Sequence, residues 1–463
     1  MSKENAITAI DTSQYLSGNF GPVTDEVTAF DLPVIGELPT ELEGRYLRNG
    51  PNPLSAVDPK THHWFMGDGM VHGIRLRDGK AEWYRNRYVG SSANSARLGT
   101  DDIPGPNWSG SERGPNTNVG GFAGTTWAMV EAGACPVELT YELDTVARND
   151  FYGTLPGAFT AHPKVDPTTG EMHAMVYAWA QWLDHVQYVV VGKDGRVRHT
   201  LDIPLPGMTM LHDMSLTERY AIVFDQPCTV DLDLAFAGRF PFRWNPDYGN
   251  RVGLLPREGT AADIVWIDVP IAYSFHPLNA YDTPDGRVVI DLCNYERMFD
   301  RDILGPFGDG GMARLERWEL DPQRRTSSIT VIDDTPNEFP RHRGSLTARP
   351  YRYGYCASPS SDPANGWPTL KHDLHTGQRS VFDHGQGRAA GEPVFVGRQG
   401  GSEEDDGWLV TYVHDLGATT AEFVVLDAQD FDRGYVARVP LPQRVPFGFH
   451  GNWVSDRAVA PPT

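Results

Sequence analysis

Cysteine is scarce in this sequence: among 463 residues there are only four, at positions 135, 228, 293 and 356. None of them forms a Cys-x-x-Cys pair, which excludes a zinc ribbon, a redox motif of that kind and a dense disulfide framework. We therefore expect reduced and mostly buried thiols, as is usual in a reducing compartment.

Long apolar runs and positive charge are also scarce. No run of about eighteen apolar residues occurs, so no transmembrane helix is predicted. The stretch from Met1 to Phe20 lacks the apolar core of a signal peptide, and we expect a cytoplasmic protein. Lysine and arginine number 40 against 61 acidic residues, for a formal net charge of −21. This balance argues against nucleic acid as a partner.

Glycine and proline, in contrast, are abundant, with 48 and 36 residues spread along the chain. They separate short runs rich in Val, Ile, Tyr, Trp and Phe. An Asp-Gly pair between alternating polar and apolar segments is a strong hairpin signal, and three such pairs occur, at Asp78-Gly79, Asp194-Gly195 and Asp285-Gly286. Helical periods are limited to short pieces at 137–147 and 227–240. Hairpins over the whole length favour an all-β propeller, while the pattern alone leaves a large sandwich or barrel open.

Four of the fifteen histidines share one setting, in which a short apolar or aromatic run precedes the histidine and a turn or new strand follows it. They are His162 in FTAHPKVD, His212 in TMLHDMSL, His276 in YSFHPLNAYD and His450 in FGFHGNWV. Strands of different blades approach one axis, so such residues can converge there, and imidazole suits Fe, Cu, Ni and Zn. The alternative for each is a core histidine bonded to a carbonyl. Six others have polar neighbours and are expected at the surface or in turns: His62, His63, His199, His372, His375 and His384.

Three glutamates interrupt apolar or aromatic segments: Glu131 in WAMVEAGACPVEL, Glu338 in NEFPR and Glu392 in GEPVFV. A buried carboxylate without a partner is costly, so each should have one. One candidate partner is an imidazole whose other nitrogen binds a metal. The other is an arginine, and Arg341 is a plausible partner for Glu338.

Longer segments follow one another in a recognisable order over nearly the whole chain. They are LPTELEGRYLRNGPNP, HWFMGDGMVHG, GPNTNV, VEAGACPVELTYELDT, TAHPKVDPTTGEMHA, LHDMSLTERYAIVFD, FHPLNAYD, NEFPR, GEPVFV and VPFGFHGNWV. In this order they resemble the carotenoid cleavage oxygenase family, which includes retinal-pigment isomerases, apocarotenoid oxygenases and lignostilbene dioxygenases.

The resemblance implies a seven-bladed β-propeller with a small helical or loop cap over an axial metal site. Residues 1–463 would form one dioxygenase domain, with 1–25 as a partly flexible extension. One Fe(II) per chain would be bound by His162, His212, His276 and His450. O₂ would be the cosubstrate, with no organic cofactor and no catalytic residue beyond the metal ligands. The histidines would be hydrogen-bonded by Glu131, Glu338 and Glu392, which leaves one histidine without a carboxylate partner.

The resemblance also implies oxidative cleavage of a conjugated double bond into two carbonyl products. A pocket for such a substrate should be apolar with aromatic walls, and the candidates are Phe275, Phe449, Trp453, Trp179 and Trp182, with core packing as the alternative. Lignostilbene-type members carry a lysine just before the residue that corresponds to Glu131, where this chain has Met129 and Val130. We therefore expect a carotenoid or apocarotenoid. A stilbene or a phenylpropene such as isoeugenol or 4-vinylguaiacol is the alternative, because the cap segment LAFAGRFPFRWNPDYG is short.

The segment LDLAFAGRFPF is rich in apolar side chains and is predicted to form a patch at the tunnel mouth that contacts a membrane peripherally. The patch would expose Leu234, Phe236, Phe240 and Phe242, and a buried helix is the alternative. We expect a monomer or homodimer.

Two other classes of propeller are weighed against this reading. A calcium-dependent lactonase would need oxygen ligands from Glu, Asp and Asn. A non-enzymatic binding scaffold would have no reason to bury imidazoles on its axis. The four histidines argue against both classes.

Overall fold

A computed structural model describes residues 13–108, 114–307, 311–360 and 365–457. Seven antiparallel sheets of four to six strands form the blades of a β-propeller. The prediction of an all-β, seven-bladed fold is therefore confirmed.

The first and seventh sheets contain strands from both ends of the chain. The first sheet consists of β1 (Thr28–Leu32), β3 (Gly44–Pro51), β4 (Gly69–Arg77), β5 (Lys80–Tyr88) and β33 (Gly451–Ser455). The seventh consists of β2 (Ile35–Gly36), β28 (Arg388–Ala390), β29 (Val394–Gly397), β30 (Gly407–Asp415), β31 (Thr420–Asp427) and β32 (Tyr435–Pro440).

The other five sheets each use four strands that are close in sequence. The second has β6 (Asn118–Phe122), β7 (Thr125–Met129), β8 (Val137–Leu139) and β9 (Thr145–Arg148); the third has β10 (Lys164–Val165), β11 (Met172–Val176), β12 (His185–Val191) and β13 (Val197–Pro204). The fourth has β14 (Met214–Leu216), β15 (Tyr220–Asp225), β18 (Arg251–Pro256) and β19 (Val265–Asp268). The fifth has β20 (Pro277–Asp282), β21 (Val288–Asn294), β22 (Arg314–Asp321) and β23 (Thr326–Asp333); the sixth has β24 (Glu338–Arg341), β25 (Tyr353–Ala357), β26 (Thr369–Asp373) and β27 (Gln378–Phe382).

The ring of blades is closed by both ends of the chain. In the first sheet, C-terminal strand β33 pairs with β3, and Gly451 lies opposite Arg48. In the seventh sheet, N-terminal strand β2 pairs with β32, and Ile35 lies opposite Arg438. Because each terminal strand completes a sheet built from the other end, unfolding of either terminus would open the ring.

The predicted hairpins follow from turn chemistry. Arg77 lies opposite Lys80, and the two residues between them, Asp78 and Gly79, have φ of 50° and 70°. Positive φ at both central positions is the geometry that Asp-Gly favours in a two-residue hairpin. The other two Asp-Gly pairs join β12 to β13 and β20 to β21, so all three predicted hairpins are confirmed.

The helix expected at 137–147 is wrong, because this segment forms strands β8 and β9. Val137 and Leu139 are buried on either side of half-buried Glu138, which is the two-residue period of a strand.

Apolar side chains fill the spaces between neighbouring sheets. Ile222 and Leu254 of the fourth sheet, for example, lie in one buried cluster with Ile290 and Trp318 of the fifth. Removal of these faces from water is the main force that holds adjacent blades together. The four cysteines are buried and none of them forms a disulfide, as expected.

Short helices interrupt the strands. They are α1 (Ser92–Leu98), α2 (Leu232–Phe236) and the 3-10 turns Gln14–Leu16, Gly18–Phe20, Trp64–Met66, Pro246–Tyr248, Ala261–Asp263, Gly344–Leu346 and Phe431–Arg433. Helix α2 lies between the two strands of a ribbon, β16 (Cys228–Val230) and β17 (Phe242–Trp244), and begins after Asp231, whose carboxylate accepts the N–H groups of Asp233 and Leu234. The helix expected at 227–240 is thus limited to its central five residues. In the described ranges no helix has both the length and the hydropathy needed to cross a bilayer.

Part of the predicted N-terminal extension packs on the propeller. Tyr15 is buried, and its ring stacks on Trp64 with centroids 5.9 Å apart. Residues 1–12 lie outside the described residues, so the flexibility predicted for the extension stays a prediction.

Candidate metal centre

Each of the four histidines singled out above immediately or almost immediately precedes a strand at the edge of its sheet: β10 for His162, β14 for His212, β20 for His276 and β33 for His450. Edge strands of different sheets contact one another, as β14 does with β20. These strands are therefore the inner strands of their blades, and the residues that precede them meet near the axis.

The structure brings the four imidazoles into one buried cluster. One nitrogen from each ring lies within 4.8 Å of the corresponding nitrogens of the others. The Nε2 atoms of His212 and His276 are 3.3 Å apart. Two nitrogens that share one ion at about 2.1 Å would lie roughly 3.0–3.4 Å apart, so the spacing suits a single transition-metal ion.

The opposite nitrogen of three rings donates to a glutamate. The Nδ1 distances are 2.8 Å from His212 to Glu131, 2.6 Å from His276 to Glu338 and 3.1 Å from His450 to Glu392. A carboxylate only accepts hydrogen bonds, so Nδ1 carries the proton and Nε2 presents a lone pair. Buried Nε2 of His162 has no hydrogen-bond partner among the described residues. Four inward lone pairs without protein donors are a donor set that fits a metal ion.

The seven predicted residues come one from each blade. The histidines come from the third, fourth, fifth and first sheets, and the glutamates from the second, sixth and seventh. Every blade therefore contributes one residue to the centre.

Two of the three glutamates that accept from the histidines also accept a hydrogen bond from a tyrosine. The Tyr177 hydroxyl donates to Glu131 at 2.9 Å, and the Tyr295 hydroxyl donates to Glu338 at 2.9 Å. Burial raises the pKa of each phenol well above its usual range, so both keep their protons. The sequence reasoning missed both tyrosines, which lie in ordinary strand-like segments.

Arg341 does not bind Glu338, which corrects the pairing expected for that glutamate. Its guanidinium lies 3.5 Å from Glu392 and donates to Asn452 at 2.9 Å. Glu338 is instead bound by His276, by Tyr295 and by the N–H of its neighbour in the chain. Glu338 and Arg341 lie three positions apart on β24, so their side chains extend toward different blades.

The fourth histidine has an aspartate where the others have glutamates. Nδ1 of His162 lies 3.5 Å from an Asp213 oxygen, which is longer than the other three distances. The same carboxylate pairs with Lys164 at 2.8 Å and accepts the N–H of Met214 at 2.6 Å. The sequence reasoning missed Asp213, although a charged residue directly after His212 in an apolar segment was a usable signal.

Electrostatics differ among the charged groups of the centre. Burial lowers the pKa of His162 well below its usual range. Burial also opposes protonation of His276, but the Glu338 carboxylate outweighs it and raises the pKa of that ring. For Glu392 burial opposes ionisation, yet Arg341 and His450 lower the pKa of the carboxyl to about 2. Glu392 is therefore ionised over the whole physiological range.

A cavity of about 370 Å³ borders His212, His276 and His450. Its walls are mainly apolar and include the aromatic side chains of Phe275, Phe449 and Trp179. The cap contributes the 3-10 turn Trp64–Met66 and the residues that follow α2. A second, more polar cavity of about 260 Å³ borders His162, His276 and His450 from another direction. The histidine cluster therefore lies between an apolar and a polar space.

Two of the tryptophans expected in the cavity wall are not there. Trp453 is on β33, where it packs with the apolar core between the first and last blades. Trp182 stacks on His185 at the outer part of the third blade. Trp453 is close in sequence to His450, but alternation along β33 directs its side chain away from the cavity. Trp182 is close in sequence to Trp179, but it lies near the end of the loop that leads into β12.

The apolar patch differs from the expected one in its members. Phe242 is buried, and Phe240 lines the cavity, whereas Leu234 is half-buried. The exposed apolar residues of helix α2 are Leu232 and Phe236, the latter as predicted, with exposed fractions of 59% and 86%, and Asp233 between them is exposed as well. The ribbon strand β17 turns Phe242 inward, which the apolar composition of the segment did not reveal.

Four histidines expected at the surface or in turns are buried: His62, His63, His372 and His384. Only His375 of that group is exposed, and His199 is half-buried. Polar neighbours in sequence were a poor guide, because other blades and the cap cover these positions.

Comparison with known proteins identifies the class of protein that this fold and centre define. The sequence model of the family described as retinal pigment epithelial membrane protein matches residues 20–455. The chain belongs to this family, which is the carotenoid cleavage oxygenase family. It is 43% identical to a carotenoid cleavage oxygenase of Mycobacterium tuberculosis, over 95% of this chain and 97% of the relative. It is 33% identical to a carotenoid 9,10(9',10')-cleavage dioxygenase of Crocus sativus, over 96% and 89%.

Solved structures agree with this assignment. The lignostilbene dioxygenase of Pseudomonas brassicacearum superposes with a TM-score of 0.85 at 29% identity, covering 96% of this chain and all of that one. A cobalt-substituted apocarotenoid oxygenase of Synechocystis superposes with a TM-score of 0.82 at 26% identity, covering 94% and 97%. The fold and family are thus established together.

Proposed function

We propose that the protein is an Fe(II)-dependent dioxygenase that cleaves a conjugated double bond of a carotenoid or apocarotenoid with O₂. The observation that carries the proposal is the cluster of four buried imidazoles bordering an aromatic-walled cavity. Family membership supports the reaction class, and relatives named for carotenoid cleavage support the substrate class.

The overall reaction balances without an external reductant. Both bonds between the two alkene carbons break, each carbon receives one oxygen atom of O₂, and two carbonyl compounds form. Fe(II), when bound, supplies the one-electron chemistry that ground-state O₂ needs to react with an alkene. It would be held by His162, His212, His276 and His450.

The protein's own residues position and shield the reacting groups. Glu131, Glu338 and Glu392 fix the orientation of three rings through their Nδ1 protons. Phe275 and Phe449 supply apolar walls that exclude water and orient a flat polyene. No acid or base is assigned, because the tyrosines of the centre keep their protons.

A stilbene or phenylpropene substrate is the second candidate. It is favoured by the superposition with a lignostilbene dioxygenase. It is disfavoured at the cavity wall, where Val130 stands close to Glu131 and no lysine occurs among the described lining residues. A calcium-dependent lactonase fits less well, because the cluster offers nitrogen and not oxygen ligands.

The test is anaerobic reconstitution with Fe(II), followed by aerobic incubation with a carotenoid, an apocarotenal, a stilbene or isoeugenol. We expect aldehydes from the carotenoid or apocarotenal, with one atom of ¹⁸O₂ in each product by mass spectrometry. His276→Ala and His450→Ala should lose iron and turnover, while His375→Ala, an exposed position, should keep both. Full activity in either His276→Ala or His450→Ala would overturn the ligand assignment. Bound calcium in place of iron would support the calcium-dependent lactonase.

We also propose peripheral contact with a membrane through Leu232 and Phe236, which project from the cap beside the cavity. Helix α2 and the residues after it contribute both the exposed side chains and part of the cavity wall. A lipid-soluble substrate would then enter without crossing water. A cytoplasmic location and a monomer or homodimer remain predictions.

A further inference from the structure

Arg239 is the one charged residue, among the described residues that line the main cavity, whose side chain forms no hydrogen bond or ion pair. The three histidines that line it each donate to a glutamate. The backbone N–H of Arg239 donates to the carbonyl of Leu234 at 3.0 Å, but its guanidinium makes no hydrogen bond or ion pair within the described ranges. An apolar cavity that contains one cation without a salt bridge suits a ligand that carries an anionic group.

Arg239 lies at the solvent side of the cavity. With Phe240 it also borders an adjoining space of about 290 Å³, whose rim includes exposed Ser55 and Asp58. That adjoining space contains none of the four clustered histidines. The guanidinium is therefore placed to meet the outer end of a molecule whose middle reaches the histidines.

The charged neighbours of Arg239 are already engaged. Arg97, which borders the same adjoining space, is bound to both oxygens of Asp68, at 2.9 and 2.8 Å. The carboxylate of Asp58 accepts the N–H of Lys60 at 3.0 Å and the hydroxyl of Thr61 at 3.0 Å, and Arg239 acts on it only from beyond ion-pair distance. Of the two arginines at this opening, only Arg239 is available to a ligand.

We propose that Arg239 binds a terminal carboxylate of the substrate, so that the preferred substrate is an apolar polyene that ends in an acid. A guanidinium binds a carboxylate through two parallel N–H groups, and this pairing is strong where aromatic walls exclude water. The assignment deepens the proposed function and rests on it. Arg239 acts in substrate binding and touches none of the clustered histidines.

The test compares an apocarotenoic acid with its methyl ester, its aldehyde and its alcohol, all of one chain length. For the iron-loaded wild type we expect a KM for the acid at least tenfold below that for the ester, with similar kcat values. Arg239→Ala should remove the preference by raising the KM for the acid alone. Arg239→Lys keeps the charge without the paired N–H groups and should give an intermediate preference. Arg243→Ala is the matched control, because this exposed arginine of β17 does not line the cavity.

The role of Arg239 can be tested separately from the proposed function by measuring binding of the same compounds to metal-free protein. Quenching of tryptophan fluorescence reports this binding. Trp64 and Trp179 line the cavity and report on its occupant. Cleavage of all four compounds with equal KM, or an unchanged preference in Arg239→Ala, would overturn the role of Arg239 and leave the proposed function intact. Tighter binding of the acid, lost in Arg239→Ala, would support the role of Arg239 even if no compound were cleaved, which would count against the proposed function alone.

Discussion

The Nε2 atoms of His212 and His276 lie 3.3 Å apart in the buried centre of the propeller, while the Nδ1 of each donates to its own glutamate. Since Nδ1 carries the proton of each ring, two lone pairs face each other. A cation between them converts repulsion into ligation, so metal binding and the stability of the fold should be coupled.

We therefore expect divalent metal to stabilise the protein against unfolding. A ligand that binds only the folded state at one hundred times its Kd adds about 2.7 kcal/mol. Co(II), added anaerobically to protein treated with EDTA, should raise the denaturant midpoint accordingly. His162→Ala should lose most of this gain, and the exposed His375→Ala should retain it. Equal stabilisation of all three proteins would place the metal elsewhere.

The carboxylate partners should contribute to metal affinity according to their hydrogen bonds. Glu338→Gln removes the negative charge from the acceptor 2.6 Å from His276, and we expect the affinity for metal to fall by roughly 10- to 100-fold. Asp213→Asn should have a smaller effect, because its oxygen is 3.5 Å from His162. Isothermal titration with Co(II) measures both.

The control for this series is Glu319→Gln, a surface glutamate paired with Arg287. Its affinity for Co(II) should equal that of the wild type. If Asp213→Asn weakened binding more than Glu338→Gln, the ranking by hydrogen-bond length would be wrong.

Stability should fall in mild acid because of buried neutral histidines outside the centre. Burial lowers the pKa of His173 to about 4 and that of His384 to about 3, against about 6.5 in an unfolded chain. A depressed folded pKa means that the unfolded state binds the proton first. The contribution of each neutral histidine to the free energy of unfolding is complete above about pH 6.5. It is lost as the pH falls from there toward the pKa of that histidine in the folded protein.

At pH 5.5 each of these two groups should cost about 1.4 kcal/mol relative to pH 8. Denaturant titrations across this range measure the loss. His384→Gln retains polar contact with Thr369 and Tyr435. This variant should lose less stability between pH 8 and pH 5.5 than the wild type, by the contribution of one histidine. An unchanged slope would show that His384 already binds its proton in the folded state.

Membrane contact should depend on the exposed side chains of helix α2. The double variant Leu232→Ser, Phe236→Ser loses two side chains that contribute about 1.5–3 kcal/mol each when buried in lipid. We expect wild-type protein to co-sediment with neutral phosphatidylcholine vesicles and the double variant to stay in the supernatant. Neutral lipid is the appropriate probe, because a net charge of −21 opposes binding to anionic surfaces.

Leu183→Ser is the matched control, since Leu183 is also exposed, at 63%, but lies on the third blade. It should sediment like the wild type. Failure of the wild type to sediment would remove the proposal of membrane contact.

The sequence by itself determined the local structure on which the centre depends. Asp-Gly pairs such as Asp78-Gly79 specify tight hairpins, because few other residue pairs tolerate positive φ at both positions. The order of longer motifs indicated the family and its seven blades. Residues such as His276, placed between an aromatic run and a proline, carried a local signal because their backbone is constrained on both sides.

Only the tertiary structure decided which side chains meet. One residue from each of seven blades reaches the axis, and no sequence separation encodes that convergence. Trp453 follows His450 by three residues yet faces the core between blades, whereas Asp213 follows His212 directly and approaches a different histidine. Burial and pairing are set by strands that are distant in the chain, and for that reason the cavity wall, the fourth carboxylate and the unmatched Arg239 required the assembled ring.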